Sequence, residues 1–113
     1  MNSNLTEQDI RNAVSADVME ALNPEKIIFP EYMGVPAVVI DFRAHYITQK
    51  GNKSSRRRSY KATVWEYPDY QGRYSLLVTY PSPSKYPTPL VHIHERQIDG
   101  DTLNKALASV AVN

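Results

Sequence analysis

The stretch Pro36–Thr48, PAVVIDFRAHYIT, constrains this chain more than any other. Val38, Ile40, Phe42, Ala44 and Tyr46 fall on one face of an extended segment. Val39, Asp41, Arg43, His45 and Ile47 fall on the other. This alternation predicts a half-buried antiparallel strand. Such a strand needs hydrogen-bonding neighbours at its edges and an apolar cover on one face.

The rest of the chain offers both. Residues 60–67, YKATVWEY, and 73–80, RYSLLVTY, read as two further strands, joined by the turn PDYQG at 68–72. A fourth strand is expected at LVHIHER, with Val91 and Ile93 inward and His92 and His94 outward. Lys26–Phe29 adds a short edge strand, ended by Pro30. The cover comes from two amphipathic segments. Residues 6–22 place Ile10, Ala13, Val14, Val18, Ala21 and Leu22 on one helical stripe, with Thr6 as cap and Asn23-Pro24 as stop. Near the C-terminus, Leu103, Ala106, Leu107, Val110 and Ala111 form a second stripe behind a cap at Asp101. PSPSKYPTP, 81–89, reads as a stiff extended connector.

The expected fold is therefore α+β. One domain spans 1–113, with an antiparallel sheet of four strands, or five with the short edge strand. An N-terminal and a C-terminal helix pack on one sheet face. At 113 residues there is core enough for one domain and too little for two. Cysteine is absent, which excludes disulfides and thiolate chemistry. No signal-peptide pattern and no run of eighteen apolar residues is present, so the expected location is cytoplasmic.

The formal net charge of +1 conceals a segregation. Residues 1–41 carry seven acids and two bases; residues 42–61 carry seven bases and no acid; residues 62–113 carry five acids and four bases. The basic block centres on KGNKSSRRRSYK, which holds Lys50, Lys53, Arg56, Arg57, Arg58 and Lys61. It falls between the first two long strands, so a flexible basic hairpin tip is expected at 49–59. Arginine forks and lysine point charges in such a tip suit phosphate. The bland alternative is a solvated loop.

The sheet face away from the helices is expected to carry Arg43, His45, Lys61, Thr63, Trp65, Tyr67, Arg73, Ser75, Thr79, His92 and His94. Cations interleaved with aromatics suit single-stranded nucleic acid. The alternative is that Trp65 and Tyr67 pack beneath a loop, a helix or a second subunit. His45, His92 and His94 are weak candidates for a metal, without an evident fourth ligand or general base. The chain contains no P-loop, nucleophile elbow, dinucleotide fingerprint or H-E-x-x-H.

Two functions fit. The first is a small non-enzymatic nucleic-acid-binding module without cofactor, in which Arg43, Lys50, Lys53, Arg56, Arg57, Arg58, Lys61, Trp65 and Arg73 make the contacts and a single strand is the favoured partner. The helix–strands–helix order resembles that of double-stranded RNA-binding domains, but here the last helix begins with the acidic sequence Asp99-Gly100-Asp101-Thr102. The second is a protein-interaction module whose basic hairpin meets an acidic protein surface. This could be an adaptor, a homodimer, or an inhibitor of the kind encoded by phages and mobile elements.

Overall fold

The computed structural model describes residues 7–32, 34–47, 51–81 and 88–111, with backbone alone at Glu7, Tyr32, Tyr46, Ile47 and 53–55. Two short helices come first, α1 (Glu7–Ala13) and α2 (Ala16–Leu22). Strands β1 (Lys26–Ile28), β2 (Glu31–Tyr32), β3 (Val35–Ile47), β4 (Lys53–Glu66), β5 (Tyr74–Tyr80) and β6 (Leu90–Ile98) follow, and α3 (Gly100–Ala111) closes the chain. The sheet is antiparallel in the order β1-β3-β4-β5-β6, with β2 pairing the start of β3. This is the expected α+β fold, with the short edge strand present as β1.

The apolar face of the sheet is the one the alternation selects. Val38, Ile40, Phe42, Ala44, Tyr60, Ala62, Val64, Leu76 and Val78 form one buried cluster with the helical Ile10, Val14, Val18, Leu22, Leu103, Leu107 and Val110. All the helices therefore cover this inner face. Truncating a fully buried large member such as Phe42 to alanine would cost about 3–5 kcal/mol by the usual transfer and cavity terms.

The N-terminal helix is not continuous as expected; the chain turns at Val14-Ser15. Ser15 takes an extended conformation (φ −64°, ψ 154°), and its Oγ accepts from Val18 N–H, so it caps α2. Asn104 of α3 secures the break. Its Oδ1 accepts from Ser15 N–H at 2.8 Å, and its Nδ2 donates to the Ala13 carbonyl at 2.9 Å and to the Gly100 carbonyl at 2.8 Å. One amide thus supplies partners to the end of α1, the start of α2 and the first turn of α3. The break also rotates Ala21 off the buried stripe, and it is exposed. Asn23, at φ 47°, ends α2 before Pro24. The expected cap at Thr6 lies outside the described residues.

Two further expectations are corrected. α3 is capped by Asp99 rather than Asp101, because Asp99 Oδ1 accepts from Thr102 N–H at 2.7 Å. That bond and the Thr102 hydroxyl hold the Asp99 carboxyl below its ordinary pKa. The second long strand starts at Lys53 and not at Tyr60, so the arginine run belongs to the ladder. Residues 48–50 and 82–87, which include Lys50 and most of the proline-rich connector, lie outside the described residues.

Replacing Asn104 by alanine should lower stability by about 1–2 kcal/mol, since a bridging amide with several partners is lost. Urea unfolding should show a lower midpoint at unchanged slope. Asn104→Asp keeps the acceptor for Ser15 and loses the donor to Ala13, and should fall between the two. An unchanged midpoint for Asn104→Ala would contradict this role.

Candidate polyanion-binding ribbon

β3 and β4 outrun their neighbours. β1 pairs β3 only as far as Asp41, and β5 pairs β4 only as far as Lys61. Beyond those rows the two strands pair only with each other among the described residues, through Phe42↔Tyr60, Arg43↔Ser59, Ala44↔Arg58 and His45↔Arg57 to Ile47↔Lys53. A two-stranded ribbon thus extends from the sheet, about 15–20 Å long at the usual rise per residue. A register shift between His45 and Ile47 interrupts it near its far end.

Strand alternation divides the three consecutive arginines. Arg57 shares the outer face with Arg43, His45 and Ser59, whereas Arg58 shares the inner face with Ala44; Arg56 falls within the register shift. On the outer face Arg57 Nη2 donates to the Arg43 carbonyl at 2.6 Å, and Arg43 Nη2 donates to the Arg57 carbonyl at 3.4 Å. These crossed bonds carry each side chain across the ribbon to the other strand's backbone. Arg43 also approaches Glu25 at 4.0 Å, with both side chains about half exposed. Such a pair is worth little in water.

The inner face carries a different arrangement. Phe42 and Tyr60 stack at 5.6 Å between ring centroids, Tyr80 meets Tyr60 edge-on at 5.7 Å, and His92 meets Tyr60 at 5.3 Å. The Arg58 guanidinium lies 4.3 Å over the Tyr80 ring. This aromatic cap closes the core where the ribbon begins. His92 keeps an exposed edge, but partial desolvation against the Tyr60 and Tyr80 rings pushes its imidazole below the ordinary histidine value, and the Arg58 charge adds to the shift. Burial likewise raises the Tyr60 hydroxyl.

The expected site residues divide accordingly. Arg43, Arg57, Arg56 and Arg58 come together on the ribbon, and Lys61 stands at its base beside Asp41 in the register. Lys50 lies outside the described residues, and Lys53 is described by its backbone alone. Trp65 is half-buried between the fully buried Ala37 and Ser75 in its register row. It stands eight residues along β4 from Arg57, about 27 Å away. Arg73 lies further still, beyond Tyr67 at the opposite end of the sheet, where its charge is felt by Asp99. The outer face is therefore not the interleaved platform expected. Val39, Thr63 and Leu77 make its centre half-buried, and Ser75 is buried with its Oγ donating to the Glu95 carbonyl.

His92 is not on the outer face with His94. A register shift between Val78 and Thr79 inserts an extra residue in β6, which turns His92 to the Tyr60 side while His94 stays opposite Leu77. His94 lies within 3.3 Å of Arg96 Nε, and His45 sits on the ribbon. No group of three or more His, Asp or Glu side chains converges as a metal site among the described residues.

A cleft of about 440 Å³ opens at the ribbon base, lined among others by Glu25, Asp41, Ser59, Lys61 and Thr79. Its acids oppose Lys61, so the cationic character strengthens outward along the ribbon. No helix of the described residues is long and apolar enough to cross a membrane. No protein-family model, curated protein or solved structure matches the chain.

The His92 shift has a pH consequence. Its folded pKa lies below the value of about 6.5 that it regains on unfolding. The unfolded chain therefore takes up the proton first, so stability falls as pH drops below about 6.5 and is constant above it. Denaturation midpoints measured between pH 7.5 and 5.5 should decrease, and His92→Gln should flatten that slope. An equal slope in both proteins would contradict the assignment.

Proposed function

We propose that this protein is a non-enzymatic nucleic-acid-binding module that works in the cytoplasm and uses the β3–β4 ribbon as its contact surface. The observation that carries this reading is the group Arg43, Arg56 and Arg57, exposed on a two-stranded arm beyond the rest of the sheet. A folded ribbon supports phosphate contact better than a loose loop does. Its backbone is already ordered by the ladder, so less conformational entropy is lost on binding. Arginine then offers forked donors to phosphate oxygens, and each contact releases counterions. The acids of α1 and α2 suit this orientation, since both helices lie on the inner face; of the N-terminal segment's acids, Glu25 and Asp41 stand at the ribbon base.

A second reading has its own observation. Leu90 and Val91 are 41% and 60% exposed at the start of the edge strand β6. An apolar edge suits pairing with another protein chain, including a second copy. In that case the ribbon would meet an acidic protein surface.

Fluorescent oligonucleotides titrated at 50 to 200 mM salt separate the two. With about four phosphate contacts, the logarithm of affinity should fall with a slope of about −3 to −4 against the logarithm of salt. The Arg56→Ala, Arg57→Ala, Arg58→Ala triple variant should lose most of the affinity, whereas Arg73→Ala should lose little. No binding to single-stranded or duplex oligonucleotide at 50 mM salt would overturn the nucleic-acid reading in favour of the protein partner.

A further inference from the structure

The ribbon's dimensions and chemistry, taken with the nucleic-acid reading on which this step rests, identify the form of the partner. We infer that the outer face of the ribbon, bearing Arg43, His45, Arg57 and Ser59, enters the major groove of double-helical DNA.

Three observations carry this. The first is width. The ribbon is two strands wide beyond Asp41 and Lys61, and paired strands lie about 4.8 Å apart. With side chains, such a ribbon matches the B-form major groove of about 12 Å, which admits a two-stranded ribbon. The major groove of A-form RNA is too narrow to admit it.

The second is what the outer face lacks. Single-strand binders stack bases on aromatic rings beside a basic track. On the outer face of the ribbon the described side chains are Arg43, His45, Arg57 and Ser59, with no Phe, Tyr or Trp among them. Among the described side chains, the aromatic rings at the ribbon base, Tyr60 and Tyr80, face inward and are engaged with Phe42, His92 and Arg58. Trp65 is too far along β4 to stack on a base held at Arg57.

The third is donor geometry. The crossed bonds between Arg43 and Arg57, at 3.4 Å and 2.6 Å, engage one Nη2 of each guanidinium. Arg carries five N–H donors, so each fork keeps donors to present to the O6 and N7 acceptors of guanine. Arg56, exposed in the register shift next to Arg57, can reach the phosphates at the groove rim. The ribbon length of about 15–20 Å corresponds to about five base pairs at 3.4 Å per step. Glu25 opposes the approach, since its carboxylate pairs with Arg43 at the ribbon base.

The test uses the full chain with one 20-residue sequence prepared as duplex DNA, duplex RNA and single-stranded DNA. Duplex DNA should bind at least about tenfold more tightly than either of the others, in keeping with a bidentate base contact. Methyl green, which occupies the major groove, should compete, and netropsin in the minor groove should not. Arg57→Lys keeps the charge and loses the fork, and should weaken duplex binding about tenfold while leaving the salt slope unchanged. Glu25→Gln should tighten it. Thermal melts confirm that each variant is folded. Equal or tighter binding to duplex RNA or to the single strand, or competition by netropsin instead of methyl green, would overturn the groove inference and leave the nucleic-acid reading intact. Absence of binding to all three would overturn both.

Discussion

The pairing of β3 with β4 is the constraint on which the rest of the molecule depends. β1 and β2 attach to β3, and β5 attaches to β4 and carries β6. The rows Val38↔Val64, Ile40↔Ala62 and Phe42↔Tyr60 in this one ladder supply the centre of the core. A slip of one residue would turn the slipped strand's members of these rows outward. The register is thus fixed by burial over the central rows and inherited by the rows beyond. That is how residues 53–59 of β4, which contain no apolar side chain, are held in strand geometry.

The change of character occurs at Ala44↔Arg58. On the core side of that row the inner face is apolar and covered by helices. In the row itself Arg58 rests on Tyr80. The aromatic group of Phe42, Tyr60, Tyr80 and His92 serves as the end wall of the core and as the footing of the ribbon. It excludes water from Phe42 and Tyr60, which are almost fully buried, and it tolerates a cation through the ring face. Stability and the proposed contact surface therefore meet at these side chains, and a change there affects both.

The sequence made part of this legible. The alternation in 36–47 identifies β3, its buried face and the α+β class, because burial on one side writes a period of two into the residues. Lys53–Arg58 carries no such mark. Arg56 and Arg57 are exposed and Arg58 is only half-buried, so nothing selects apolar residues at alternate positions, and the segment resembles a loop. The break at Ser15 was hidden for the opposite reason. Ile10, Val14, Val18 and Leu22 satisfy a single helical period through it, and the amide that holds the break open, Asn104, lies 89 residues away. His92 depended on a bulge in β6, which leaves no periodic signature. Trp65 shares the outer face with Arg57 as parity requires, but eight residues of a fourteen-residue strand separate them.

The most direct test of the central claim, that the outer face of the ribbon is the contact surface, is an amide chemical-shift map during titration with a duplex DNA oligonucleotide. The largest changes are predicted at Arg43, His45, Arg57 and Ser59, falling off along β4 toward Trp65. Changes centred on Trp65 and His94, on the β6 edge at Leu90 and Val91, or on α1 and α2 would contradict it.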